Sequence, residues 1–402
     1  MRRTTSTPCL LARALLLLTV SLMLSACGTL SSFPVELDKE AGRRLADTKD
    51  LKAAVDVLAD PLVEGRHTPG VVVGILTPDG ARHFFAYGTA DQATGRKPDE
   101  HTLFAVGSLS KVILADMAAL LVQEHRLAWD DTLETMLPPG IPLSPDAKKI
   151  TVLQLATHTS GLPRQPMTPR TLAYFVEYLF DGRSFYRHFD QQYLTDYLGS
   201  FVAPSKREPE YSNIGYGLLS YIVSLRTGTS LDTLLQEKMV GSLGLQATGY
   251  APEQLDAGLL RARGYAGDQP KFIMRGKPVP DWRFNDVMRG SAALYSNASD
   301  LLSLAAAHLN GVADPKINAA LQDTLQVRFD REKEAAALAW IVDDVNGRKF
   351  TYMVGLVAGY SSYIGLDRKN RTAVVVLQNS FNWSSIGHEL LTRMADAQEL
   401  GW

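Results

Sequence analysis

"VGSLSK", residues 106–111, joins an apolar run to a helix-like one. Ser108 and Lys111 lie three apart, so on a helix they share one face and reach each other. At a helix start, unpaired N–H groups and the helix dipole favour developing negative charge beside the serine. A serine hydroxyl is a weak nucleophile without a base, and a lysine desolvated by its neighbours drops its pKa far enough to act as one. The same spacing also suits a capping serine beside a solvated lysine. It is the only S-x-x-K in the chain, and the surrounding sequence has to decide between the two readings.

Downstream, Tyr211-Ser212-Asn213 follows an irregular stretch from Val202 to Glu210 and precedes an apolar helical pattern from Ile214 to Leu225. A tyrosine at such a junction can exchange a proton with a serine, and an asparagine two residues on can hold a substrate amide. The tripeptide recurs as Tyr295-Ser296-Asn297. There the following Ala298-Ser299-Asp300-Leu301 makes Asn297 or Ser299 an ordinary helix N-cap.

Further out, the pattern divides the chain. Val71 to Leu76 and Ala81 to Tyr87 flank Thr77-Pro78-Asp79-Gly80, a hairpin signature. Asp50 to Leu62 repeats apolar residues at helical spacing. From Ser108 to about Ser303 the pattern is mostly helical with long loops. Candidate strands return at Ala337–Val342, Lys349–Val354, Ser361–Leu366 and Thr372–Gln378, before a last helix near Ser385–Gln398. The expected fold is α/β (α+β): an antiparallel sheet from both chain ends, flanked by helices, with a mainly helical lobe inserted. The sheet lobe spans about 50–104 and 286–402, the helical lobe about 105–285.

The N-terminus reads as an export signal. Arg2 and Arg3 precede a leucine-rich run from Ala12 to Leu24, too short to span a membrane comfortably. Leu24-Ser25-Ala26-Cys27 resembles the bacterial lipoprotein box, which implies a signal peptide of residues 1–26, lipidation at Cys27 and a tether over 27–49. An ordinary signal peptide cut after Ala26 is the plainer alternative. Cys9 and Cys27 are the only cysteines, so the folded body holds no disulfide. Residues 1–26 carry three arginines and no acid, so the body is more acidic than the whole chain's −2. That gives no electrostatic case for nucleic acid.

Taken together, the motifs resemble the serine β-lactamase/penicillin-binding-protein family, meaning class C β-lactamases, D-Ala-D-Ala peptidases and their esterase relatives; S-x-x-K is among its signatures. The resemblance includes Phe104-Ala105-Val106-Gly107 before the serine, Thr151 through Pro163 (TVLQLATHTSGLP), and Gly290 through Ser296 (GSAALYS). It implies a serine hydrolase with Ser108 as nucleophile and Lys111 and Tyr211 sharing acid–base work. Asn213 would contact the acyl side chain, and no metal or cofactor would be needed. His158 falls in a segment that the resemblance makes structural, a satisfied interior histidine.

One departure stands out. Relatives carry Lys-Thr-Gly or His-Thr-Gly on a strand, and the matching stretch here is Met353-Val354-Gly355-Leu356. Methionine and valine can neither polarise the tyrosine nor hold a carboxylate, whereas Leu356 can still offer a backbone N–H beside that of Ser108. The expected substrate is a neutral ester or amide in the cell envelope. Alternatives are an envelope lipoprotein that binds without catalysing, or a peptidoglycan D,D-peptidase or β-lactamase reading its substrate through arginines from elsewhere. Arg164, Arg170 and Arg207 read as solvated surface or salt bridges, and the aromatic run Phe175 to Phe189 as core and lobe cover, with a substrate wall as the alternative because it follows Leu162-Pro163 in the insert that borders the cleft in relatives. His388-Glu389 fails the zinc pattern H-E-x-x-H because position 392 is threonine. Partners are then a small or peptidoglycan-derived substrate and a membrane reached through the lipid. Gly28, where an aspartate would signal inner-membrane retention, points to the outer membrane facing the periplasm.

Overall fold

A computed structural model describes residues 38–255, 258–331 and 334–402. The export signal, Cys27 and the start of the tether lie outside the described residues. The later part of the expected tether is helix: α1 (Lys39–Thr48) is capped by Asp38, which accepts from Ala41 N at 2.9 Å, and buries Gly42 and Leu45. Helix α2 (Leu51–Glu64) follows after one turn, capped by Asp50.

Among the described residues seven strands form one antiparallel sheet: β1 (Gly70–Leu76), β2 (Arg82–Gly88), β5 (Ala335–Ala336), β6 (Ile341–Val345), β7 (Arg348–Val357), β8 (Tyr360–Asp367) and β9 (Thr372–Gln378), in the order β2-β1-β9-β8-β7-β6-β5. The hairpin from the front of the chain sits on β9 from its end, as the pattern predicts. The two short strands β3 (Phe104–Ala105) and β4 (Tyr295–Ser296) pair separately beside the serine. The candidate strand Ala337–Val342 is broken, because residues 337–340 leave the ladder between β5 and β6. Ala339 there has φ 64°, which no ladder accommodates.

Among the described residues the helices of nine residues or more are, after α2, α3 (Ser110–Gln123), α4 (Pro169–Asp181), α5 (Gln191–Gly199), α6 (Asn213–Thr227), α7 (Ala298–Asn310), α8 (Pro315–Thr324) and α9 (Ile386–Glu399). Every residue of β1 and β9 is buried, since both faces of the sheet are covered. The cross-strand register puts Val73, Val376, Tyr363 and Val354 on one face, and Gly74, Val375, Ile364 and Met353 on the other. Gly387 of α9 lies against the Tyr363 ring, so α9 covers the first face, and Leu302 of α7 lies against Gly74 on the second. Met353 and, two residues on, Gly355 therefore face the helical side. At its centre runs α3, buried on nearly all sides from Ser110 to Leu121, as its all-round apolar sequence requires.

Candidate active site

Three segments meet at the N-terminal end of α3. The first is the turn Gly107–Leu109, a single 3₁₀ turn carrying Ser108 into the helix. Gly107 holds φ 54°, a conformation that favours glycine. Ser110 pins the turn: its hydroxyl donates to Gly107 O at 2.6 Å and accepts from Leu294 N at 2.9 Å.

The second is β7. A side chain at Gly355 would place its Cβ 2.1 Å from Val106 O and 3.1 Å from Ser108 N; one at Gly107 would stand 3.0 Å from Leu356 N. Two glycines thus let the strand edge close onto the serine's backbone, bringing the N–H groups of Ser108 and Leu356 into one neighbourhood. Ser362 of β8 adds a tie, donating to Val106 O at 2.8 Å.

The third is the loop before α6. Ser212 caps that helix through Gly215 N at 2.9 Å and so turns Tyr211 and Asn213 inward. The Tyr211 hydroxyl donates to Ser108 Oγ. Lys111 Nζ lies 3.1 Å from Ser108 Oγ, 2.8 Å from Asn213 Oδ1 and 2.6 Å from the carbonyl of Ser291. Asn213 in turn donates to the Tyr186 hydroxyl at 2.6 Å. Ser108, Lys111, Tyr211 and Asn213, spread over more than a hundred positions, form one hydrogen-bonded cluster.

Burial sets its electrostatics. Lys111 is fully buried; desolvation, with a smaller push from the Arg164 cation, holds its pKa well below the usual lysine value. Burial pushes the Tyr211 phenol up to about 12, against the opposing pull of Arg164 and of the hydrogen bond to Ser108. An amine that binds its proton weakly and a phenol that holds its own tightly, both on the same serine oxygen, can take up and return a proton.

His158 is interior but only half satisfied. Its Nδ1 accepts from Ser212 N at 3.0 Å, while Nε2 has no partner among the described residues. Burial, then Lys111 and Arg164, keep it neutral. Its ring packs 4.7 Å from that of Tyr211, as a support and not as a base for Ser108. The second tripeptide is structural: Asn297 caps α7, accepting from Asp300 N at 2.8 Å.

Arg164 corrects its sequence reading. It is half-buried, not solvated, with its guanidinium carbon 4.5 Å from the centre of the Tyr211 ring. Arg207 does reach a neighbour, donating to Gln154 at 3.2 Å. Neither the Ser291 carbonyl on Lys111, though it lies within the Gly290–Ser296 segment, nor Tyr186 as Asn213's partner has a local sequence signal. Met353 is buried on the side of the sheet that carries Gly355. Val354 and Leu356 point their side chains to the opposite face.

A family model described as Beta-lactamase matches residues 55–399. Penicillin-binding protein 4 of Amycolatopsis lactamdurans is 28% identical over 270 residues, 63% of each chain. The D-alanyl-D-alanine-carboxypeptidase/endopeptidase AmpH of Escherichia coli is 26% identical over 200 residues, 49% of each. The chain therefore spans less than two thirds of the length of these curated relatives. Among solved structures, the D-alanine carboxypeptidase AmpC from Burkholderia cenocepacia superposes with a TM-score of 0.70 at 21% identity, covering 88% of this chain and 99% of that one. That likeness establishes the fold, and the family model establishes membership: the chain belongs to the beta-lactamase family of serine hydrolases.

Proposed function

We propose that the protein hydrolyses an uncharged ester or amide through an acyl-enzyme on Ser108. The observation that carries this is the meeting of the Tyr211 hydroxyl and Lys111 Nζ on Ser108 Oγ. Ser108 Oγ bonds to the acyl carbon as its proton passes to the unprotonated Lys111 amine. The carbonyl oxygen becomes an oxyanion held by the N–H groups of Ser108 and Leu356. The proton then goes, through Tyr211, to the departing alcohol or amine as its bond to carbon breaks. A water repeats the sequence in reverse, leaving the acid and free Ser108. Asn213, already on Lys111 and Tyr186, keeps one amide N–H for the acyl group. Met353 on the site's side of the strand supports the neutral substrate, since its thioether pairs with no carboxylate.

The test is intact-mass spectrometry of residues 28–402 with a fluorophosphonate, a short-chain p-nitrophenyl ester and a penicillin, against Ser108→Ala. A serine-dependent adduct, with turnover of the ester, supports the reading. Turnover of the penicillin would assign the substrate class suggested by the relatives' names. No adduct in folded protein would sink the proposal and favour a binding lipoprotein.

The envelope location rests on residues 24–27. Lipidation of Cys27 would anchor the protein to an envelope membrane, and Gly28, in place of an aspartate that signals inner-membrane retention, favours the outer one facing the periplasm. Fractionation of Cys27→Ser should then move it from the membrane to the soluble fraction; an unchanged distribution would remove the anchor.

A further inference from the structure

Tyr211 and Lys111 are both buried, and burial opposes any charge on either. The strand beside them offers none, because its residue on the site's side is the apolar Met353. Arg164 lies against the tyrosine instead; the other titratable neighbours, His158 on the Tyr211 ring and Tyr216 under the lysine, are held from charging by burial. Its guanidinium carbon stands 4.5 Å from the Tyr211 ring centre, within the range of a cation–π contact. No carboxylate among the described residues pairs with it, and its Nε is buried without a partner. Its own loop is tied to the tyrosine's: Asn213 N donates to the Arg164 carbonyl at 3.1 Å, and Ser212 Oγ donates to the Pro163 carbonyl at 2.8 Å.

We propose that Arg164 is a positioning residue of this site, its guanidinium holding the Tyr211 ring on Ser108 and supplying the positive charge that the adjoining strand lacks. The inference rests on the reading of Ser108 as nucleophile. Its un-neutralised cation favours loss of a proton from both neighbours, since positive charge stabilises the phenolate and repels the ammonium. The sign is the same for the two groups. Removing the charge makes both harder to deprotonate, so the alkaline rise in Ser108 reactivity moves to higher pH whichever of them holds the proton.

The experiment measures the rate of Ser108 modification by a fluorophosphonate from pH 5 to 10 in wild type, Arg164→Met, Arg164→Gln and Arg164→Lys, each checked for folding by circular dichroism. The expected result is a rising limb displaced upward by about one pH unit in the Met and Gln variants, or about tenfold slower labelling on the limb. Arg164→Lys, which keeps the charge, should retain the wild-type limb. Labelling slowed equally at every pH, with the limb unmoved and lysine no better than methionine, would reduce Arg164 to packing and overturn the proposal. If Arg164→Met does not fold, the Gln and Lys pair decides by the same criterion. Wild type that never labels at Ser108 would overturn the underlying reading, and this inference with it. That failure is distinct from a wild type that labels and variants that share its profile.

Discussion

Lys111 and Asn213, 102 positions apart, meet through a 2.8 Å hydrogen bond that joins the first turn of α3 to the first residue of α6. The bond gives the lysine an acceptor besides Ser108 and so steers its amine at the serine. It also turns the asparagine oxygen toward the lysine, so that the amide nitrogen, with one N–H on Tyr186, presents its other N–H to a substrate. Helix packing therefore decides both the base's direction and the polarity of the substrate contact.

Replacing Lys111 by methionine should slow labelling of Ser108 by about 10²–10⁴-fold, the range of a lost general base. Its stability should respond to pH in a set direction. Lys111 is held below the free lysine value of 10.5, so between its depressed value and 10.5 the unfolded chain binds a proton the folded one does not. Wild type then gains stability relative to Lys111→Met as pH rises toward 10.5. Denaturant midpoints at several pH values would check this, and parallel curves would mean the amine is charged in the fold.

Gly355→Ala is the sharpest steric test. The added methyl would sit 2.1 Å from Val106 O, 2.3 Å from Ser362 Oγ and 3.1 Å from Ser108 N. Backbone must move, displacing Leu356 N from Ser108 N. Labelling should fall about 10²–10³-fold, as when one oxyanion donor is lost, and stability by about 1–3 kcal/mol. Unchanged kinetics would exclude the strand edge from the chemistry.

Tyr186→Phe removes the 2.6 Å bond from Asn213 and little volume. The expected cost is about 1 kcal/mol in stability, with an effect on ester KM larger than that on kcat, because the asparagine amide loses its orientation. Steady-state kinetics would separate the two.

The helix that carries Lys111 has its own buried pair. His308 Nε2 lies 3.1 Å from Asp116 Oδ1, both side chains wholly buried. Burial works to lower the histidine, but Asp116 and the Leu304 carbonyl outweigh it and leave its pKa raised. Such a group stabilises the fold fully below the free value of 6.5 and loses that contribution as pH rises through its own raised pKa. Asp116→Asn should cost about 3–5 kcal/mol at acid pH and less as pH rises, read from unfolding curves. A pH-independent loss would mean that His308 stays neutral.

Local features were legible in the sequence. Two β-rich runs around a Pro-Asp-Gly turn placed the hairpin, an apolar helical pattern placed α6, and residue spacing brought Ser108 and Lys111 onto one face. Such features depend on neighbours within a few positions, where sequence and structure are nearly the same information. The break at 337–340 escaped because an apolar run does not reveal where the backbone leaves the ladder, and α1 escaped because its short helix draws its stability from packing on α9.

The sequence by itself determined the family, the sheet from both chain ends and the residues Ser108, Lys111, Tyr211 and Asn213 as candidates. Tertiary structure alone decided that the Ser291 carbonyl holds Lys111 and that Arg164 lies over Tyr211. Those relations join segments tens to hundreds of residues apart, and their distances follow from strand register and helix packing. A guanidinium looks the same in sequence whether water or a buried tyrosine surrounds it; only the fold supplies the surroundings, and with them the charge balance of the site.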